Sequence, residues 1–233
     1  MFVVAAVARR PTRRVPPLTP HGFASLLLLR PPADALAVAS DLIERGMSAR
    51  ALCLDVLAPA LRVVGERWER GTATIAQEHL ATETVQVVMA RLSGGLAKRP
   101  PVGRRVLLAC TDTELHQVGL RMVGDFLEGD GWKVYYVGAS TPSRDLALLA
   151  DRVRPDAIGL STTLITQLPI ARAAISAVRA REPSAFIVVG GAAYEGDAEL
   201  ARSLGADAFA EDAARASALL RRRFAPERVA AHV

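Results

Sequence analysis

A polar loop, Thr111-Asp112-Thr113-Glu114-Leu115-His116, follows a short apolar run and leads through Val118 to Gly119. An imidazole beside carboxylates can hold a metal or relay a proton, because its ring titrates near neutral pH. Taken alone, such a histidine is more often an ordinary surface residue. Here, however, further small and polar residues recur at long intervals. Forty-one residues separate Gly119 from Ser161, which opens Ser161-Thr162-Thr163, and twenty-six separate Thr163 from the pair Gly190-Gly191. A second set lies earlier in the chain, where Trp68 is followed after nine residues by Glu78-His79. It groups an indole, a carboxylate and an imidazole. Glu78 and His79 are adjacent on a helical pattern, so their side chains diverge by about 100° and form no hydrogen-bonded acid–base pair. No set of nucleophile, base and acid stands out, and no enzymatic turnover by this chain alone is expected.

The elements that must carry these residues fall into two textures. Residues 1–18 mix Pro11, Pro16 and Pro17 with arginines and read as a flexible basic arm. Residues 19–97 are helical throughout. A short helix lies near 23–29, a second is opened by Pro32 and Asp34 and ended by Gly46, a third is capped by Ser48, and a fourth spans about 74–92. In the third, Leu52, Val56, Leu57, Leu61, Val64 and Trp68 share a face, and Pro59 should kink the helix or split it. In the fourth, Ile75, Val85, Val88, Met89 and Leu92 should point inward. Four antiparallel helices with short connections make a small bundle. Trp68 would end one helix and Glu78-His79 would sit in the first turns of the next, at one end of that bundle.

Residues 98–104, with Pro100-Pro101 and Gly103, read as a linker. From 105 to 226 short apolar segments alternate with amphipathic ones. Strands are expected at 105–109, 133–137, 157–160, 186–189 and, more weakly, 208–209, and helices at 118–129, 143–152, 169–181, 197–203 and 212–224. This is the pattern of an α/β, Rossmann-like domain with a doubly wound parallel sheet. Ligands of such sheets bind beyond the carboxyl ends of the strands, where His116, Ser161 and Gly190-Gly191 would all lie. Residues 227–233 form a short tail.

Composition excludes other classes. No apolar run approaches the roughly 18 to 20 residues that cross a bilayer, and the start of the chain lacks the order of a signal peptide, so a cytoplasmic protein is expected. Cys53 and Cys110 sit among apolar residues and fit buried thiols in a reducing compartment. The net charge of +5 comes mainly from arginine, with Arg9, Arg10, Arg13 and Arg14 in the arm and Arg221-Arg222-Arg223 ending the last helical pattern. Such clusters can hold nucleic acid or an acidic partner surface, or be simply solvated. The 18 residues ahead of the helices are too few for a winged-helix domain, so no direct sequence-specific DNA binding is expected.

The spaced set (acidic residue, x, His, x, x, Gly; then Ser-x-Leu; then Gly-Gly) is similar to the signature of cobalamin-binding domains. The resemblance implies that His116 is the lower cobalt ligand, displacing the cofactor's own dimethylbenzimidazole, with Glu114 as acceptor on the other ring nitrogen. It implies that Gly119 lets the corrin ring approach the backbone, that Ser161 binds the base of the displaced tail, and that Gly190 and Gly191 leave room for it. Thr163 departs from the pattern, standing where the family usually has leucine.

The bundle, with Trp68, Glu78 and His79, resembles that of the cobalamin photoreceptors that regulate carotenoid and photosystem genes, the CarH-like and AerR-like proteins. By that resemblance Trp68 caps the adenosyl group of adenosylcobalamin in the dark, Glu78 accepts from its ribose hydroxyls, and His79 completes the pocket, with hydroxocobalamin as a form after light. Two departures matter. A DNA-binding domain is not seen, which resembles the stand-alone class acting on a separate repressor or transcription factor. Residue 69 is glutamate where the DNA-binding members carry a histidine. A light-responsive antirepressor is the function so implied. The alternative is a corrinoid methyl carrier serving partner methyltransferases, which shares the architecture.

Overall fold

The computed structural model describes residues 19–95 and 98–225. The arm at 1–18 with its four arginines and the tail at 227–233 lie outside the described residues.

Helices α1 (Pro20–Leu29) and α2 (Pro32–Glu44) both carry proline in the first turn, where a missing N–H costs nothing. Ser48 then caps a single long helical path, which runs through α3 (Ala49–Ala51), a π-helical turn (Leu52–Leu57) and α4 (Ala58–Glu69). Pro59, expected to kink the helix or split it, lies in the first turn of α4, directly after the π-helical turn that separates α3 from α4. Asp55, whose carbonyl the proline ring would otherwise meet, lies inside the widened turn, and the helix continues past it. Helix α5 (Ile75–Leu92) starts at a reciprocal cap, in which Thr74 N donates to Gln77 Oε1 at 2.9 Å and Gln77 N to Thr74 Oγ1 at 3.3 Å. Phe23, Leu27, Leu52, Leu57, Val64, Val85 and Val88 fill the bundle core. Ile75 does not join them: it opens α5 at the bundle's end, past the last core layer, and is 51% exposed.

Five parallel strands follow, β1 (Arg105–Cys110), β2 (Lys133–Gly138), β3 (Ala157–Ser161), β4 (Phe186–Gly190) and β5 (Ala208–Phe209), in the order β2-β1-β3-β4-β5. Their buried residues are near-continuous apolar runs, as sheets covered on both faces require. Helices α6 (Val118–Gly129) and α10 (Ala213–Arg223) cover one face, and α7 (Ser143–Val153), α8 (Leu168–Arg181) and α9 (Ala198–Ser203) the other. The chain leaves β1 for β2 on one side and returns to β3 on the other, so a crevice opens beyond the carboxyl ends of β1 and β3. Among the described residues no helix is long and apolar enough to cross a membrane.

The bundle core continues into Val118, Met122 and Phe126 of α6. Its foot is held by a polar cluster. Arg50 Nη2 donates to Asp130 Oδ1 and to the Phe126 carbonyl, both at 2.8 Å, its guanidinium lies 4.6 Å from the Phe126 ring centre, and Ser217 Oγ donates to Asp130. Asp130 caps the C-terminus of α6, so the α3–α4 path starts at the amino ends of the strands and rises along α6. Eighteen residues at 1.5 Å each carry Trp68 about 27 Å from Arg50, to the crevice side. Asp130 is buried, and Asp130→Ala should lower unfolding free energy by about 2 kcal/mol, because a half-buried guanidinium and a buried hydroxyl lose their shared acceptor. Asp151→Ala, whose arginine partners lie at 3.5 and 3.8 Å on the surface, should change it by less than about 0.5 kcal/mol in the same urea titrations.

Candidate functional site

Beyond β1 the chain turns through residues 111–117 before α6. Glu114 is fully buried at the centre of that turn. Its Oε1 accepts from the His116 backbone N–H at 2.7 Å and from Nδ1 at 2.6 Å, while Oε2 accepts from Thr163 N at 2.5 Å. Burial pushes the Glu114 carboxyl up, but the His116 ring, the His116 N–H and the Thr163 N–H together outweigh it and hold the group below its ordinary value. An ionised carboxylate only accepts, so Nδ1 carries the proton and Nε2 keeps its lone pair when the ring is neutral. The His116 side chain is 57% exposed. Its pKa is raised, mainly by the Glu114 hydrogen bond, with the charges of Glu114 and Glu78 adding to it against burial.

Glu114 thus ties the loop after β1 to the loop after β3. Thr111 N donates to the Ser161 carbonyl at 3.1 Å, and the Thr111 and Thr162 hydroxyls meet at 3.1 Å. Thr163 contributes its backbone to the Glu114 bond, and threonine in place of leucine leaves that bond intact. Thr113 adopts φ +64°, a strained value for a β-branched residue, while its N–H donates to Asp112 Oδ1 at 2.9 Å and to Ser140 Oγ, from the loop after β2, at 3.2 Å.

The glycine pair is required by the protein itself. A Cβ on Gly190 would lie 2.8 Å from the Ala210 carbonyl oxygen, and one on Gly191, at φ +107°, 2.1 Å from that of Thr162. Gly119, by contrast, has nothing within 4 Å of its virtual Cβ and faces open space. Leu115, Leu164 and Ile165 form an exposed apolar collar around the crevice, Leu115 at 70%. Two buried side-chain oxygens at this edge have no partner, Thr141 Oγ1 after β2 and Gln167 Oε1 after β3, while the buried Tyr194 hydroxyl after β4 interacts with Thr162. Unpaired buried polar atoms are costly, and a ligand with a broad apolar body and polar fringe would satisfy them. Gln167 and Tyr194 were not evident from sequence; an aromatic residue four positions past the first glycine was the available signal.

Above the crevice Trp68, at the top of α4, is 45% exposed. Glu78 accepts from Thr82 Oγ1 at 2.9 Å, and His79 Nε2 lies 3.7 Å from its other oxygen, too far for a hydrogen bond. His79 is 70% exposed. The charge of Glu78 acts on His116, so this end of the bundle faces the loop after β1. Among the described residues no group of three or more His, Cys, Asp and Glu could hold a metal. A metal ligated by His116 must therefore bring most of its coordination sphere with it, as a macrocycle does. The donor set, the apolar collar and the unpaired oxygens fit a corrinoid.

Sequence profiles described as a B12 binding domain match residues 104–220 and, for the helical part, residues 32–93. The chain is 44% identical over 110 residues to the HTH-type transcriptional repressor CarH of Myxococcus xanthus, covering 46% of this chain and 36% of that one. It is 32% identical over 156 residues to the repressor CarA of the same organism, covering 67% and 47%. The chain thus spans half or less of the length of these repressors. With the dimethylamine corrinoid protein of Methanosarcina barkeri it shares 26% identity over 184 residues, covering 77% of this chain and 80% of that one. The monomethylamine corrinoid protein of Methanosarcina barkeri has the same fold, with a TM-score of 0.77 at 17% identity over 86% of this chain and 96% of that one. Helical bundle and parallel sheet domain, in this order and with this crevice, make the chain a member of the B12-binding domain family.

Proposed function

We propose that this chain is a cobalamin-loaded regulatory switch that reports light to a partner transcription factor or repressor. The observation that carries the reading is a half-exposed Trp68 at the end of α4 and Glu78 in the first turn of α5, the latter close enough for its charge to act on His116. His116 Nε2 would hold the cobalt, and Glu114 fixes the tautomer that leaves this nitrogen free. Gly119 gives the ring a flat approach, and Ser161, Thr163, Gly190 and Gly191 shape the crevice for the nucleotide tail. Trp68, Glu78 and His79 form the upper pocket for an adenosyl group. Adenosylcobalamin supplies a cobalt–carbon bond that light breaks. The chain's contribution is a bundle whose top would meet the adenosyl group while its foot is held at Arg50–Asp130. Contacts made by Trp68 and Glu78 to that group favour one bundle position over another, and without such a difference no switching follows.

Protein loaded with adenosylcobalamin in darkness and freed of excess cofactor should change both its absorption spectrum and its elution volume after green light. In Trp68→Ala the spectral change should persist and the elution change should shrink. A spectrum that responds only as free cofactor does, with constant elution, would sink the switch. It would favour a methyl carrier, a reading supported by the 80% of the dimethylamine corrinoid protein that this chain covers. Transfer of a methyl group to or from a partner methyltransferase then becomes the assay.

A further inference from the structure

Opposite the crevice, at the amino ends of the strands, positive charge outnumbers the carboxylates that pair with it. Arg105 and Lys133 open β1 and β2 side by side in register. With Arg104 and the backbone of Pro101, Gly103 and Gly131 they line a cleft of about 360 Å³. The Arg104 guanidinium lies 5.3 Å from the Phe224 ring, and that of Arg223 lies 5.4 Å from the same ring and from Phe186. The end of α10 therefore lies beside Arg104, which lines the cleft, and the neighbouring Arg221 and Arg222 are both exposed. Among the described residues, Arg104 is paired with Asp156 at 2.8 Å, but no carboxylate lies in ion-pair range of Arg105, Lys133, Arg221, Arg222 or Arg223. Along the same edge under α7 and α8, Arg154, Arg179 and Arg181 each have an acidic partner. The excess is local to the cleft.

We propose that this edge binds the phosphate backbone of nucleic acid without reading its sequence. A protein partner would want an apolar anchor at the centre of the surface. Here Trp132 is buried, and Phe186 and Phe224 are half-buried and overlaid by arginines. Stacking on these rings also orders the guanidiniums for a planar, bidentate contact. The charges come from strand starts and a helix C-terminus, so no helix face is offered to a groove, and phosphate contacts alone give no sequence preference. Lying across the sheet from the cofactor crevice, the surface is independent of the light reading. It would hold the chain on DNA beside a DNA-bound partner.

The test is fluorescence anisotropy of a labelled random-sequence duplex titrated with the full chain at several salt concentrations. The variants are Arg105→Glu/Lys133→Glu and, separately, Arg221→Glu/Arg222→Glu, all at exposed positions. Arg45→Glu/Arg70→Glu, on the bundle surface, makes the same change in net charge. Each cleft variant should bind at least about tenfold more weakly, with the slope of log affinity against log salt reduced by roughly 2, while the bundle variant loses far less. Parent-like binding by both cleft variants, or an equal loss in the bundle variant, overturns the proposal. So does tighter binding to a polyglutamate peptide than to the duplex, which would assign the surface to an acidic protein.

Discussion

His116→Ala is expected to bind cobalamin at least about 100-fold more weakly than the parent, while the unloaded protein remains folded. The two effects separate because of what the imidazole does in each state. Among the described residues no cluster of His, Cys, Asp and Glu could replace it, so in the proposed mode of binding its removal would take away the ligand that Glu114 orients; perturbing even a ligand's outer partner typically costs 10- to 100-fold. In the unloaded protein, Glu114 would lose one of its donors and keep two, the backbone N–H groups of residue 116 and Thr163. One lost charge-assisted hydrogen bond at a half-exposed side chain costs about 1 kcal/mol. Equilibrium dialysis should therefore show a large loss where thermal melting shows a small one. Glu114→Gln should fall between them in affinity, by about tenfold, since an amide still accepts from Nδ1 but brings N–H groups where the backbone offers only donors. Parent-like affinity in His116→Ala would remove His116 from the site and with it the proposed mode of binding.

Gly191→Ala should be the more damaging change to the fold. At φ +107° an L residue is strained whatever the space, and here the new carbon would stand 2.1 Å from the Thr162 oxygen and 3.0 Å from the Thr162 nitrogen. Both obstacles are backbone atoms, so no rotamer change relieves the contact. Thr162 N donates to the Gly190 carbonyl at 3.0 Å and Thr163 N to Glu114. Displacing this segment therefore opens the end of the β3–β4 ladder and releases the carboxylate behind His116. A loss of about 4 kcal/mol or more is expected from urea unfolding, in the range reserved for severe substitutions. Gly119→Ala provides the contrast. It meets nothing within 4 Å, lies in α6, and should stabilise the unloaded protein slightly. Its predicted defect is in cofactor affinity alone, where a methyl group would stand against the ring.

How far such outcomes could be foreseen from sequence differs by element. The five strands lie within one residue of their expected limits, because buried parallel strands are apolar runs closed by glycine, proline or polar residues. The helices of the sheet domain were equally readable from their periodicity. Glu114 and His116 could be paired on paper because the resemblance to cobalamin-binding domains implies an acidic partner two residues before the histidine. The same local rules marked the irregularity beside Pro59 but not its form, a π turn, and they misplaced Ile75, which has the right type for a core position but stands above the last layer.

What sequence determined by itself, then, is whatever neighbouring residues dictate: element type and order, the α/β class, and the spacing that sets the candidate residues at the carboxyl ends of strands. Only the tertiary structure decided that Thr163 binds Glu114 through a nitrogen every residue carries, that Thr141 and Gln167 bring unpaired oxygens to the crevice, and that Arg50 meets Asp130 across 80 positions. It also decided that Arg223 at the end of the last helix shares the Phe224 ring with Arg104 at the start of the sheet. Periodicity and capping act along the chain through a few bonds and leave their mark on composition. Contacts between distant segments depend on how packed layers meet, and a backbone N–H or a rotated helix face leaves no residue type by which to find it.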